Sequence, residues 1–270
     1  MPKLKRINNV EVTAVPSLTE VDNRPVKGSA LFPELYANIF LCARKKSGKT
    51  STIYKLIKEC SGSDTTVIAF VSTLYKDANW AVIQKYCETH HIAFEGYTSI
   101  IENEVNHLQN FIKVHEKPPE ALESEVACQK SCVRFDSEQS ETEEKKKKKS
   151  KYRSPEYIFI FDDLSNELKT PALTALLKKN RHFKCKVVVS SQYLNDLPPQ
   201  SRKQMDNLLI FRGQPQKKLE EIYRDFDIAV EPELFYQLYD YATLEKYSFL
   251  YIDRFNDTFR RNFKDEFQIT

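Results

Sequence analysis

Several short segments of this chain are apolar at nearly every position rather than at alternate ones, and stretches with helical spacing separate them. Ala37–Cys42, Thr66–Val71, Tyr157–Phe161 and Lys186–Ser191 are the clearest. A strand that is apolar on both faces must be covered on both faces. Strands of this kind alternating with amphipathic helices imply an α/β fold with a mostly parallel sheet flanked by helices. The first helix is expected over Ser51–Cys60, where Ile53, Leu56 and Ile57 share one face. The second covers Asn79–His90, with Trp80, Ile83 and Cys87 in line. Ile92–Tyr97, Asn207–Phe211 and Tyr247–Ile252 read as further strands, and Gln216–Phe226 and Pro232–Tyr241 as further helices. Thr170-Pro171 looks like an N-cap followed by proline at the first helical position, opening a helix to about Asn180.

Two more stretches carry helical spacing. Ile101, Val105, Leu108, Ile112 and His115 predict one amphipathic helix. Phe255, Phe259, Phe263 and Phe267 recur every fourth residue and predict a helical stripe near the C-terminus. That stripe is expected to pack on the core; the sharper reading is a docking surface for another protein or a neighbouring subunit.

The loop after the first strand narrows the chemistry. Ala37–Cys42 runs into Ala43-Arg44-Lys45-Lys46-Ser47-Gly48-Lys49-Thr50, and a helix follows. Strand, tight loop and helix are the setting of a P-loop, in which backbone N–H groups curl around a phosphate at a helix N-terminus. Lys49 would reach the β- and γ-phosphates, and the Thr50 hydroxyl would bind Mg²⁺. Ala43 departs from the pattern, which asks for glycine there.

Two further segments fit the same site. Tyr157–Phe161 ends in Asp162-Asp163. A carboxylate at the end of a buried strand holds the metal directly or through water, which assigns Asp162 to Mg²⁺ and Asp163 to the attacking water. Val187-Val188-Val189 leads to Ser190-Ser191-Gln192, and the Gln192 amide is placed to reach a γ-phosphate or its water. The expected ligand is ATP with Mg²⁺.

These elements, in this order, resemble the additional-strand P-loop ATPases. More narrowly they resemble the FtsK–HerA superfamily, in its branch of viral genome-packaging ATPases from poxviruses, other large DNA viruses, virophages and Polinton-like elements. The resemblance is carried by residues 43–50, by Ile160-Phe161-Asp162-Asp163-Leu164, by Asn180-Arg181-His182 and by the run from Ser191 to Arg202. It implies a RecA-like core in which the Asp162 strand lies between the P-loop strand and the Gln192 strand. It also implies a homo-oligomeric ring with ATP between subunits, double-stranded DNA through the centre, and capsid or portal components as partners. Arg181 or Arg202 would serve as an arginine finger on a neighbour's ATP. The expected location is the host cytoplasm or nucleus, or the virion. Relatives often carry glycine where this chain has Lys46.

The expected function is therefore an ATP-driven duplex-DNA translocase that packages a viral genome. The alternatives are a P-loop ATPase of helicase or partition type and a degenerate P-loop protein that tethers DNA, the latter motivated by Ala43. Composition excludes simpler readings. With 41 basic and 38 acidic residues the net charge is +3, too balanced to announce a nucleic-acid binder by itself. No apolar run approaches the ~18 residues that span a membrane. Cys42, Cys60, Cys87, Cys128, Cys132 and Cys185 form no CxxC pair and no zinc spacing, so free thiols are expected. Residues 1–34 read as an arm and 35–270 as the ATPase domain. That domain carries a charged insertion at about 116–154, containing Lys145 to Lys149 and expected to be mobile. The basic start, Met1 to Arg6, leads into no apolar core and is not a secretory signal.

Overall fold

The computed structural model describes residues 22–116 and 150–269. The first six residues, Cys128, Cys132 and the lysine run at 145–149 lie outside the described residues. Nine strands form one sheet. Its parallel part contains β1 (Asn38–Cys42), β2 (Thr66–Val71), β3 (Ala93–Tyr97), β6 (Tyr157–Asp162), β7 (Cys185–Ser191) and β8 (Asn207–Phe211). Across the sheet the strands run β3-β2-β6-β7-β1-β8, and then β9 (Phe249–Asp253), β10 (Thr258–Arg261) and β11 (Asp265–Glu266) continue it antiparallel.

This order corrects one expectation. The Gln192 strand, β7, lies between the P-loop strand β1 and the Asp162 strand β6. The expected arrangement had β6 in the middle. The inserted β7 is the additional strand of the expected fold, and local apolar pattern carries no information on which buried strand takes the central place.

Consecutive apolar residues are explained by the two packed faces. In β1, Phe40 and Cys42 join one core with Phe159, Phe161, Val187 and Val189. Ile39 and Leu41 join the other with Ile158, Ile160 and Val188. The first face is covered by α3 (His107–His115), α4 (Pro171–Lys178), α5 (Gln216–Asp225) and α6 (Pro232–Ala242). The second is covered by α1 (Lys49–Cys60) and α2 (Ala78–Thr89). Thr170 does occupy the N-cap position of α4, but its side chain makes no cap hydrogen bond; Pro171 sets the helix start.

Both remaining helical expectations are corrected to hairpins. Ile101–Glu102 and Val105–Asn106 are the short strands β4 and β5, so the helix begins only at His107. Asn103 and Glu104 turn the chain with φ of 49° and 67°. An i, i+4 apolar pair sits across such a two-residue turn as readily as along a helix. The Asn106 side chain then caps α3, accepting from Gln109 N at 2.8 Å. Of the C-terminal phenylalanines, Phe255 lies in the turn between β9 and β10, Phe259 on β10, Phe263 between β10 and β11, and Phe267 directly after β11. Phe259 is buried and Phe255 is exposed. Phe263 packs on Phe249 and Tyr251, and Phe267 packs on Tyr241.

Residues 22–34, in the stretch expected as an arm, contribute to the packing. Phe32 is fully buried against Tyr251 and Phe263. Gly28, at φ 77°, lies so close to α1 that a Cβ would stand 2.5 Å from Cys60 Sγ. Cys42, Cys60, Cys87 and Cys185 are buried free thiols, and burial pushes Cys185 up to about 12. Among the described residues no helix is long and apolar enough to cross a membrane.

Lys186 is a buried cation at the start of β7. Its ammonium donates to the Leu35 carbonyl at 3.0 Å and also to that of Glu34. Burial pulls its pKa from 10.5 down to about 8. Between those values the unfolded chain holds a proton that the folded chain has released, so this group makes stability rise with pH; below about pH 8 it is charged in both states and its desolvation cost is carried in full. Buried Tyr251 and Cys185, both pushed up, act with the opposite sign in alkali. The comparison must therefore be differential. From pH 8 to 10, wild type should gain roughly 1 kcal/mol per pH unit over Lys186→Met in urea unfolding. A difference independent of pH contradicts this.

Candidate nucleotide site

The parallel register brings the C-terminal ends of the central strands level. Cys42 pairs with Ser191, Ser190 with Asp162, and Asp162 with Val71. Ligands of open parallel sheets gather at this edge. The loop at 43–50 leaves β1 here and delivers Gly48 as the residue before α1, with φ 93° and no side-chain cap. The first-turn N–H groups of α1 thus point outward without an internal acceptor, and no acidic residue stands among them. Gly48 is required twice over: its φ is left-handed, and a Cβ would stand 3.3 Å from the Tyr247 ring.

Ala43 is accommodated. It is fully buried, and its N–H donates to Ser191 O at 3.2 Å. The left-handed residues of the loop are Lys46, at φ 61°, and Gly48. The missing glycine at 43 therefore costs the loop no backbone strain, whereas Lys46 carries about 1–2 kcal/mol of it.

Lys49 and the acidic pair meet in one cleft of about 870 Å³, whose walls include Thr50, Ser51, Thr52 and Lys55. Lys49 Nζ lies 2.8 Å from Asp162 Oδ1 and 3.9 Å from Asp163 Oδ1. Asp162 is buried at the end of β6, and burial pushes its carboxyl up against the opposing charge of Lys49. Asp163 is more open, and its backbone is left-handed at φ 59°. Asp162 Oδ1 is engaged by the Lys49 ammonium, a contact that leaves the carboxylate further lone pairs, and Ser47 Oγ is buried without a hydrogen-bond partner among the described residues. A buried carboxylate with spare acceptor capacity, close to a threonine hydroxyl in the same cleft, is a donor set that suits a hard divalent cation.

Other expected residues are placed differently. Gln192 lines an adjoining cavity of about 500 Å³ with Arg44, Lys45, Lys46, Ser47, Arg212 and Lys246, and its carbonyl accepts from Lys218. Arg181 is exposed at the opposite end of the sheet, ahead of β7 and near Asp206. Arg202, one of the two arginines expected as a finger, is held within its own chain. It is 8% exposed, donates from Nε to Leu197 O at 2.8 Å and from Nη2 to Asn195 Oδ1 at 3.0 Å, and pairs through Nη1 with Asp225. Every side of that guanidinium is engaged within its own chain. Arg202→Ala is expected to cost about 3 kcal/mol in urea unfolding, because Leu197 O, Asn195 and Asp225 all lose a nearly buried partner and Asp225 keeps only the exposed Arg224. An unchanged midpoint contradicts this structural role.

Sequence reasoning missed Arg212, Lys246 and Tyr247. Arg212 follows β8 directly, at the same sheet edge as the P-loop, so a strand-end signal was available. For Lys246 and Tyr247 there was none, since β9 runs antiparallel and its start, not its end, reaches the site.

Comparison with known proteins agrees with this architecture. Residues 120–250 match the poxvirus A32 protein family. The A32-matching stretch includes β6 with its acidic pair, β7, Arg202 and most of β8–β9, while the loop at 43–50 precedes it. A relative from Invertebrate iridescent virus 6, the uncharacterized protein 075L, is 27% identical over 103 residues. That match spans 37% of this chain and 40% of the relative. Among solved structures, the genome packaging NTPase B204 of Sulfolobus turreted icosahedral virus 2 in complex with AMP superposes with a TM-score of 0.50 at 19% identity. It covers 88% of this chain and 100% of that one. The same protein with ATP-gammaS gives 0.49 at 19% identity, over 84% and 96%. At that identity the likeness bears on the fold alone: a mostly parallel sheet flanked by helices.

Proposed function

We propose that this chain hydrolyses ATP and uses the energy to move double-stranded DNA during packaging of a viral genome. The observation that carries the reading is the convergence of Lys49, Thr50 and the Asp162-Asp163 pair in one cleft at the N-terminus of α1. The A32 match and the packaging function printed for B204 support the choice of process.

The first-turn N–H groups of α1 bind the phosphates, and Lys49 swings from Asp162 to their oxygens. Thr50 and Asp162 would hold Mg²⁺, which when bound neutralises charge on the β- and γ-phosphoryl oxygens. Asp163, the more exposed acid, orients the attacking water and accepts its proton. The new bond forms between that water oxygen and the γ-phosphorus; the bond to the β–γ bridging oxygen breaks and ADP leaves. Gln192 lies beyond the loop wall, placed to report the change to the adjoining basic cavity. With a net charge of only +3, each subunit neutralises few DNA phosphates, and a homo-oligomeric ring around the duplex sums those contacts. Arg181, exposed and paired with no carboxylate among the described residues, is the finger candidate of the two. Capsid or portal components would complete the assembly.

Turnover should rise when long duplex DNA is added, and forked substrates should not be unwound. Strand displacement would favour a helicase instead, and no turnover under either condition would end the motor reading.

A further inference from the structure

The cleft at the α1 N-terminus is larger than three phosphates need, and besides Lys49 and Asp162 its walls carry the aromatic side chains of Tyr247 and Phe263. A nucleotide whose phosphates lie against the first turn of α1 must lay its ribose and base against other parts of the same walls. This argument rests on the ATPase reading above.

Tyr247 combines three features. It is 56% exposed. Its backbone sits at φ 67°, a conformation that is strained for a bulky residue. Its ring lies against Gly48, the residue that opens α1. Lys246 Nζ stands 4.8 Å above the ring and enriches this spot in charge. A strained, solvent-facing ring beside the loop that opens a phosphate cleft is a stacking surface, and a base stacked on its face would take the place that Lys246 holds. We infer that Tyr247 is the platform on which the nucleotide base stacks.

Stacking on an aromatic side chain is typically worth a tenfold or larger change in affinity per base. A base platform and a mere packing residue for Gly48 make different predictions, because only the platform distinguishes ligands with a base from ligands without one. The test is the dissociation constant of the full chain for ATP and for inorganic tripolyphosphate, each with Mg²⁺, by calorimetry. Tyr247→Ala should weaken ATP about tenfold and leave tripolyphosphate unchanged, while Tyr247→Phe should follow wild type on both. Tyr247→Leu, which keeps bulk without a π face, should behave as Tyr247→Ala. Unchanged ATP affinity in Tyr247→Ala overturns the inference, as does an equal loss for both ligands. Wild-type protein that binds tripolyphosphate but gains nothing from adenosine overturns the platform alone; wild-type protein that binds neither overturns the nucleotide site and the platform with it.

Discussion

Lys49→Ala is expected to lower ATP turnover by about 10²–10³-fold, the cost typical of deleting one group aimed at charge that grows in the transition state. Two effects combine in this variant. The phosphates lose a cation, and Asp162 loses the ammonium that stands 2.8 Å away. Burial already pushes the Asp162 carboxyl up. Without Lys49 it is pushed further and takes up a proton at a higher pH, which weakens it as a metal ligand. Turnover measured against pH separates the two. If protonation of Asp162 contributes, activity of Lys49→Ala should recover in part as pH rises through the shifted value, whereas a loss of phosphate contact alone is insensitive to pH there. Hydrolysis near the wild-type rate at every pH contradicts the role assigned to Lys49.

Asp163→Asn should be the cleaner variant, with turnover reduced about 10²-fold or more and nucleotide binding kept. The reason lies in the backbone. Asp163 sits at φ 59°, a region that asparagine tolerates as well as aspartate does. The amide therefore keeps the turn between β6 and the buried Leu164 while losing the proton acceptor. Asp163→Ala removes the same acceptor but adds backbone strain of about 1 kcal/mol. Its thermal midpoint should fall where that of Asp163→Asn does not. Turnover of Asp163→Asn equal to wild type would move the water-activating role elsewhere, with Gln192 the next residue to test.

The chain spelled out its strands and the tight turn at 43–50 into α1 because each is a local pattern. Val187-Val188-Val189 must be covered on both sides, and Ser47-Gly48-Lys49-Thr50 after a buried strand has few other uses. Asp162-Asp163 was legible for the same reason, as charge placed directly after apolar residues. What depends on distant partners was not legible. Nothing in β7 states that it slots between β1 and β6. Ile101 and Val105, or Phe255 and Phe259, keep helical spacing while lying across tight turns, and left-handed Asn103 and Asp257 decide the matter. Arg181 and Arg202 read alike because the acceptors of Arg202 are the loop at 195–197 and Asp225, and only folding brings them together. Ala43 read as a defect because the glycine pattern was taken to mark a left-handed position, and in this loop the left-handed positions are Lys46 and Gly48.

The most direct measurement is a crystal structure of the full chain with Mg²⁺ and a non-hydrolysable ATP analogue. The account predicts the triphosphate against the first turn of α1, with Lys49 moved from Asp162 onto the phosphates and the metal between Thr50 and Asp162. A triphosphate bound elsewhere, or Lys49 still paired with Asp162 beside a bound nucleotide, would contradict it.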